Sequence, residues 1–394
     1  MTYTFRHTKY ASYLGLVTQA IVNNLVTLLF VTFQKEFSIS IEKIALLISL
    51  NFGVQIITDL IAAKYVEKIG YRVALVLAEL LCGVGLISLG LLPNLFSNPF
   101  NGLIIATMIN AVGGGLIEVL VSPIVEALPG DEKESAMSLL HSFYCWGQVS
   151  VVLLSTLFFQ TIGIRYWRYL PMLWAIIPFF TAFLCSKVPI RTLEHEDGSM
   201  PLRQLFKVKI FWIFFVLMIC SGASEQAMSQ WASFFAESGL KVSKTVGDLL
   251  GPCTFAILMG TSRTIYGIFG AKMNLKKVIL GSSILCIGSY LVAVFSPNPI
   301  LALMGCAICG FSVGIMWPGV FSLSAKYYPR GGMAMFAILA LAGDLGCSSG
   351  PGLVGIISNR TNDLHLGLLA AIIFPVILIL FVVYLNKEAK RLKL

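Results

Sequence analysis

Residues 101–127 read NGLIIATMINAVGGGLIEVLVSPIVEA, and their only charged residues are Glu118 and Glu126. About 20 predominantly apolar residues suffice for a helix to cross a bilayer. The stretch exceeds that length, and it is followed by Pro129-Gly130, a pair typical of a helix end. It therefore predicts a transmembrane helix that carries one carboxyl group, that of Glu118, inside the membrane.

The rest of the chain has the same character. Of its 394 residues, 57% are hydrophobic and 12% are charged, whereas soluble domains carry about 25% charged residues. This composition argues against a soluble enzyme, a disordered protein and a nucleic-acid binder, and it predicts a polytopic membrane protein. Breaking the sequence at charged residues and at Pro, Gly and Asn clusters gives twelve candidate helices, at residues 10–33, 41–66, 72–92, 101–127, 134–162, 166–186, 209–237, 244–270, 276–295, 299–327, 331–358 and 365–386.

The two halves of the chain repeat at an offset of 200 residues. Asn98-Pro99 aligns with Asn298-Pro299, and Gly114 aligns with Gly314. Because the offset covers six helices, an even number, both copies have the same orientation in the membrane. This pattern predicts an all-α membrane protein of two parallel six-helix repeats around a central cavity, an arrangement found in transporters. The predicted units are an N-terminal bundle at 1–186, a cytoplasmic linker at 187–208 and a C-terminal bundle at 209–394.

The charges predict the orientation. Of the 28 Lys and Arg residues, 20 lie in segments on the side of the two termini and seven lie on the other side, while Arg263 lies inside a span. This asymmetry places both termini in the cytoplasm. No removable signal is expected, because the apolar run that follows Arg6 and Lys9 is too long for a signal peptide. Compact loops and the absence of targeting signals favour a bacterial inner membrane.

Glu118 is the strongest candidate for a functional group inside the membrane. A buried ionisable residue costs about 2.5–3.5 kcal/mol on insertion scales, so it usually faces the interior of the bundle. The run Gly113-Gly114-Gly115 lets neighbouring helices approach closely. Its apolar surroundings suit the carboxyl to binding and releasing a proton. The alternative is a structural carboxylate that pairs with a neighbour such as His141.

Several other polar residues fall at a similar depth and have two interpretations each. Glu225 is a second proton site or a structural carboxylate. Asn23 and Asn24 bind a hydroxylated solute or bond neighbouring helices. His141 bridges carboxylate and substrate or is a satisfied core histidine. Asp344 contacts the substrate or is held by the glycines and serines of its own helix.

Aromatic residues complete the candidate substrate site. Tyr144 lies about one helical turn deeper than His141 in the same predicted helix, and three tryptophans interrupt Gly/Ser-rich helices: Trp146, Trp231 and Trp317. Flat aromatic faces suit the apolar side of a sugar ring, and the alternative is core or interfacial packing. The sequence contains no Walker A loop and no His-Glu-x-x-His motif. We therefore expect no enzyme, no cofactor and no metal, and transport that is driven by an ion gradient or runs downhill.

Residues 63–72, AKYVEKIGYR, resemble the loop 2–3 signature Gly-x-x-x-Asp-Arg-x-Gly-Arg-Arg of the major facilitator superfamily, and the resemblance extends over the whole chain. It implies that Glu67 stands for the acid, Lys68 and Arg72 for the basic residues, and Gly70 for the turn. In the family these charges latch the inner gate in the outward-facing state. The leading glycine of the signature is absent here.

Within that superfamily the chain is most similar to the fucose-permease-like proton symporters. Residues 113–123 match the helix-4 pattern of glycines, a membrane glutamate and a Ser-Pro step, residues 139–147 resemble the helix-5 pattern, and Glu225 with Trp231 resembles the helix-7 pattern. In those proteins the helix-4 glutamate is implicated in proton coupling, a role that the resemblance carries over to Glu118. It also implies cavity helices 1, 4, 7 and 10.

The chain departs from fucose permease in helix 1. Asn23-Asn24 is kept, but Thr27 stands where that family has an aspartate. Glu225 is then the candidate for the missing acid.

Three functional hypotheses follow. The first is proton-coupled uptake of a small hydroxylated solute, such as a monosaccharide, by alternating access. The second is a proton antiporter that exports amphipathic compounds, and the third is a non-coupled channel or a solute sensor. The expected partners are a sugar-like small molecule, a proton or a sodium ion, and the lipid bilayer; no nucleic acid is expected, and the chain is predicted to be a monomer.

Overall fold

The computed structural model describes residues 3–129, 133–191, 202–269, 273–328 and 332–391. Twelve long helices account for most of these residues, and no strand occurs among them. The helices are α1 (Phe5–Phe37), α2 (Ile41–Ile69), α3 (Tyr71–Leu95), α4 (Pro99–Glu126), α5 (Lys133–Phe158), α6 (Tyr169–Lys187), α7 (Lys209–Gly239), α8 (244–269), α9 (Leu275–Phe295), α10 (299–327), α11 (Gly332–Thr361) and α12 (364–391). The predicted all-α architecture of twelve helices is confirmed.

Eleven of the described helices are long and apolar enough to cross a membrane. The remaining one, α8, contains a π-helical turn at Leu249–Cys253 around Pro252, because proline has no N–H to continue the helical ladder. Likewise α6 is interrupted at Ala175, close to Pro178. The chain is a multi-pass membrane protein.

The predicted repeat has a counterpart in the helix caps. Asn98 begins α4 and its side chain accepts a hydrogen bond from the N–H of Phe100 at 3.1 Å. Asn298 begins α10 in the same way, accepting from the N–H of Ile300 at 2.9 Å. In both helices proline occupies the first turn, where its missing N–H costs nothing.

Helix packing repeats as well. In the first half α1 packs against α4, α5 and α6, α3 packs against α4 and α6, and α2 packs against α4. In the second half α7 contacts α10, α11 and α12, α9 contacts α10 and α12, and α8 contacts α10. The halves meet mainly where α2 packs on α11, α5 on α8 and α1 on α7. The division at 187–208 stays a prediction, because residues 192–201 lie outside the described chain.

Short connections make successive helices antiparallel within each half, and α1 runs parallel to α7, because Asn23 and Lys35 meet Gln230 and Glu237 in the same order. The start of α1 and the end of α12 therefore lie at the same face of the bundle. We call it the terminal face and the opposite one the distal face. The contact between α2 and α11, which run antiparallel, is called the α2–α11 seam.

Glycines set the spacing of the closest helix pairs. A Cβ atom on Gly346 of α11 would lie 2.0 Å from the carbonyl oxygen of Ile219 in α7, whereas one on Gly288 of α9 would meet nothing within 4 Å. We therefore expect Gly346→Ala to lower stability by about 1–3 kcal/mol, the usual range for overpacking. Gly288→Ala, the matched control, should not destabilise the protein. Thermal unfolding of the two purified variants tests this, and equal melting temperatures would contradict it.

Candidate functional site

A layer of amide side chains joins the two halves at the middle of the bundle. The Oδ1 atom of Asn23 in α1 accepts hydrogen bonds from Asn51 at 3.0 Å and from Gln55 at 3.1 Å, both in α2. The backbone carbonyl of Asn23 accepts from Gln230 of α7 at 3.2 Å, and Gln230 also donates to Gln226 at 3.0 Å. All these side chains are buried. Asn23 therefore links α1 to both α2 and α7.

The same helix reaches α4 and α5. Gln19 of α1 donates a hydrogen bond to the carboxylate of Glu118, which is half-buried. Asn24 donates to the hydroxyl of Tyr144 in α5 at 3.2 Å. Thr27 donates to the carbonyl of Asn24 at 2.7 Å, where α1 bends through a 3-10 turn at Val26–Leu29. Thr27 thus stabilises the bend at the position where the resemblance expects an acid.

Glu225 of α7 is held by a cation. Arg263 of α8 donates to its carboxylate at 3.1 Å, and both side chains are buried. The same guanidinium donates to the backbone carbonyls of His141 and Gly314, each at 3.3 Å. Glu225 is therefore charge-compensated. His141 contributes its carbonyl here, and within the described chain no hydrogen bond joins it to Glu118.

Asp59 of α2 and Asp344 of α11 are both buried, and among the described residues both oxygens of Asp59 and the Oδ2 atom of Asp344 have no hydrogen-bond partner. Glu118 of α4 has the neutral amide of Gln19 as its hydrogen-bond donor. Within the described residues, no Lys, Arg or His nitrogen lies within 4.0 Å of these three carboxyl groups. The centre of the bundle thus holds three carboxyl groups without a basic partner and one that has such a partner.

The structure separates Trp146 from this layer. Trp146 is 44% exposed and lies on the face of α5 that also carries Leu139, Leu153 and Leu157, all exposed. Tyr144 and Gln148 point to the other side of the helix, where they bond Asn24 and Ser229. At about 100° per residue, positions 144 and 146 lie on nearly opposite faces. The substrate-binding role predicted for Trp146 therefore does not fit its place on the apolar outer face.

We expect Trp146→Leu to leave uptake within about twofold of the wild-type rate, because substitutions on such surfaces usually change free energies by less than about 0.5 kcal/mol. A large loss of uptake in a variant that is still well folded would show that Trp146 does contribute to substrate binding.

The other two tryptophans are packed inside the second half. Trp231 is fully buried, its indole N–H donates to the carbonyl of Pro351 at 3.1 Å, and its ring lies 6.1 Å from that of Phe30. It joins α7 to α11 instead of lining an open surface. Trp317 of α10 is half-buried and covers Gly343, where a Cβ atom would lie 2.0 Å from the indole ring. Trp317 therefore lies beside Asp344.

Part of the predicted gate can be placed. Gly70 connects α2 to α3 with a φ of +92°, a conformation that glycine adopts without strain. Arg72 donates to the carbonyl of Ser186 at the end of α6, at 2.7 Å. The side chains of Glu67 and Lys68 lie outside the described part of the chain, so the latch stays a prediction.

Three contacts join the two halves near the distal face. Lys35 of α1 pairs with Glu237 of α7 at 3.2 Å, and Asn359 of α11 donates to Glu42 of α2 at 3.3 Å. Lys244 of α8 donates to the carbonyl of Leu28 in α1 at 2.6 Å. In this conformation the halves are therefore held together at that face.

Sequence reasoning missed the glutamines. Gln19, Gln55, Gln148 and Gln230 bond across helices, and Gln226 accepts from Gln230 within α7. The sequence does contain two signals for them. An uncharged amide is unusual in an apolar span, and Gln226 and Gln230 are four residues apart and therefore share a helix face.

One motif was also overlooked. Residues 346–350, GCSSG, match the Gly-x-Ser-x-Gly pattern of hydrolases by letter. They lie inside α11 and not at a strand-to-helix turn, and the hydroxyl of Ser348 donates to the carbonyl of Ser49 at 3.1 Å. Ser348 therefore does not have the position of a catalytic nucleophile.

The family model of the Major Facilitator Superfamily matches residues 12–351. Three solved structures share the fold: a D-xylose–proton symporter (TM-score 0.81, 15% identity, 97% of both chains), the fucose:proton symporter of E. coli (TM-score 0.69, 15% identity, 98% of this chain and 99% of that one), and an inward-facing, occupied bacterial homologue of the human lysosomal transporter Spinster (TM-score 0.75, 14% identity, 96% of both chains). The probable nitrate transporter NarT of Staphylococcus epidermidis is 24% identical over 140 residues, which is 36% of each chain. The chain thus matches about a third of that relative's length.

Proposed function

The chain belongs to the major facilitator superfamily, and we propose that it couples a proton to the uptake of a small, neutral, hydroxylated solute such as a monosaccharide. Membership makes it a transporter and not an enzyme. The solute, the proton and the direction of transport are the proposal.

The amide layer is the observation that carries the solute class. Asn23, Gln55 and Gln230 belong to three helices, α1, α2 and α7, and meet at one point. Each amide offers both a donor and acceptors, the pattern that matches sugar hydroxyls. When the halves move apart, the bond from Gln230 of α7 to the carbonyl of Asn23 in α1 breaks, and the freed groups can be satisfied by a hydroxylated solute. Binding then replaces lost hydrogen bonds instead of leaving buried polar groups unpaired.

Glu118 is the proposed proton carrier. Its only hydrogen-bond donor among the described residues is the neutral amide of Gln19, so no fixed cation holds the carboxylate in its charged form. It is also half-buried, which gives a proton a route to it. Glu225 is bound by Arg263, so its charge is already balanced, and we assign it a structural part in the site.

Alternating access follows from the same contacts. In this conformation contacts between the halves, including Lys35–Glu237, hold the distal face together. With both termini in the cytoplasm, as the Lys and Arg asymmetry predicts, that face is the outer one. We place the protein in a bacterial inner membrane as two six-helix halves joined by the linker at 187–208.

A nitrate-like anion is the second candidate, because part of the chain is similar to a probable nitrate transporter and because Arg263 is a buried cation. Against it, Glu225 already neutralises that cation, and the three carboxyl groups nearby without basic partners would repel an anion. Export of amphipathic compounds fits less well, since the centre is lined by amides instead of apolar side chains.

Ligand-induced stabilisation tests the solute class. A ligand present at about 100 times its Kd stabilises the folded state by about 2.7 kcal/mol, so the melting temperature of the purified transporter should rise with one or a few members of a monosaccharide panel. Trp146→Leu, on the outer face, should respond in the same way. A rise with nitrate and none with any sugar would favour the anion, and a rise only with amphipathic cations would favour export.

A further inference from the structure

Two polar side chains of α2 carry oxygen atoms that have no hydrogen-bond donor. Gln55 and Asp59 are four residues apart and therefore share one face of the helix. At about 100° per residue, they lie about 120° and 80° around the helix from Ser49, which meets α11 at the α2–α11 seam. Gln55 is fully buried and Asp59 is 5% exposed. Both oxygens of Asp59 and the Oε1 atom of Gln55 accept no hydrogen bond from the described residues.

The surface of α4 that faces these oxygens is bare backbone. A Cβ atom on Gly115 would lie 3.2 Å from the Oδ1 atom of Asp59 and 3.2 Å from the backbone carbonyl oxygen of Gln55. A Cβ atom on Gly114 would lie 3.8 Å from the Oε1 atom of Gln55. Because glycine has no Cβ atom, no side chain of these two residues covers the oxygens of Gln55 and Asp59.

A hydrogen bond fixes the direction of the Gln55 amide. Its Nε2 atom donates to the Oδ1 atom of Asn23 at 3.1 Å, so its Oε1 atom lies at the other side of the amide, toward Gly114. The backbone carbonyl of Asn23 accepts from Gln230 of α7. Gln55 therefore belongs to the amide layer through its nitrogen atom and to the contact between α2 and α4 through its oxygen atom.

The described residues do not balance the negative charge of an ionised Asp59. No Lys, Arg or His nitrogen among them lies within 4.0 Å of its carboxyl group. Buried charges in proteins are paired or coordinate metal ions. Hard cations bind carboxylate, amide and backbone carbonyl oxygens, and all three kinds face α4 here. One monovalent cation balances one carboxylate, and the space of a missing Cβ atom suits a small ion.

We propose that Asp59 and Gln55 bind a sodium ion against the two glycines of α4. The carboxylate of Asp59 supplies the charge, and the Oε1 atom of Gln55 is the second side-chain ligand. Because Gln55 also bonds Asn23, the ion contacts a residue of the amide layer and is placed to act as a second coupling ion beside the proton at Glu118. The sodium site goes beyond the proposed function and does not depend on which solute is carried.

Equilibrium binding of radioactive sodium to the purified transporter tests the site directly. The measurement is made without any solute, at constant pH, and with choline chloride to keep the ionic strength constant. We expect saturable binding of one ion per chain, with potassium competing less well than sodium because of its larger size.

Two variants remove the proposed ligands one at a time. Asp59→Asn should raise the sodium Kd by more than about tenfold, because a neutral amide leaves the charge of the ion unbalanced. Gln55→Met keeps the length of the side chain but removes its oxygen, so it should also weaken binding, and it serves alone if Asp59→Asn does not fold. Glu79→Gln is the matched control, since Glu79 of α3 is likewise buried without a hydrogen-bond partner among the described residues but lies against Gly15 of α1. Its sodium Kd should equal that of the wild type.

The proposal is overturned if folded wild type binds no sodium, if the variants at Asp59 and Gln55 bind it as the wild type does, or if Glu79→Gln weakens binding as much as they do. Failure of the monosaccharide panel would leave a measured sodium site intact. Conversely, absence of sodium binding would leave proton-coupled uptake through Glu118 intact, so the two proposals fail separately.

Discussion

Replacing Glu118 by glutamine should abolish accumulation of the solute against its gradient while leaving exchange of labelled for unlabelled solute nearly intact. Glutamine has the size of glutamate and its amide oxygen can still accept the hydrogen bond from Gln19. It cannot bind and release a proton, so uptake driven by a pH gradient should end at equal concentrations on both sides. Proteoliposomes with an imposed pH gradient measure the first quantity, and counterflow measures the second.

Glu36→Gln is the matched control, since this carboxylate bonds Trp167 and Arg168 of the same half, away from the centre and from the contacts between the halves. It should accumulate solute as the wild type does. Accumulation that survives in Glu118→Gln would show that the proton is carried elsewhere, with the buried carboxyl groups of Asp59 and Asp344 as the next to test.

Replacing Arg263 by glutamine should destabilise the protein by about 3–5 kcal/mol, the cost of leaving one partner of a buried ion pair unpaired. The charge at risk is that of Glu225, which has no other cation within 4.0 Å among the described residues. Thermal unfolding of the purified variant measures the loss.

The double variant Arg263→Gln/Glu225→Gln should recover most of that stability, because it removes both charges together. Recovery should be incomplete, since Arg263 also donates to the carbonyls of His141 and Gly314. A double variant as unstable as Arg263→Gln alone would show that the guanidinium acts through these carbonyls and not through Glu225.

The helices could be predicted because each is long and apolar and is bounded by charged residues or by Pro, Gly and Asn clusters. The repeat could be predicted because Asn98-Pro99 recurs as Asn298-Pro299, and in the structure both pairs cap a helix by the same hydrogen bond. The π-helical turn around Pro252 was not predicted, since a proline inside a span can kink, end or merely loosen a helix, depending on its neighbours.

The candidate site was predicted only in part. Depth alone brought Asn23, Asn24, Glu118 and Tyr144 to one layer, and the structure joins them by hydrogen bonds through α1. Depth does not give the rotation of a residue about the helix axis, and the structure places Trp146 on the exposed face of α5, opposite Tyr144.

Pairing between distant helices could not be predicted from the sequence. Arg263 and Glu225 are 38 residues apart, and Asn23 and Gln230 belong to helices in different repeats. Such contacts depend on how α8 and α1 meet α7, which no local pattern records.

Proton entry together with a sugar can be measured in one experiment, in which single monosaccharides are added to a lightly buffered, energy-depleted suspension of cells or proteoliposomes and the external pH is recorded. We expect one sugar to make the medium more alkaline and Glu118→Gln to abolish the change. A flat response across the whole panel, in a preparation shown to contain folded transporter, would rule out proton–sugar uptake.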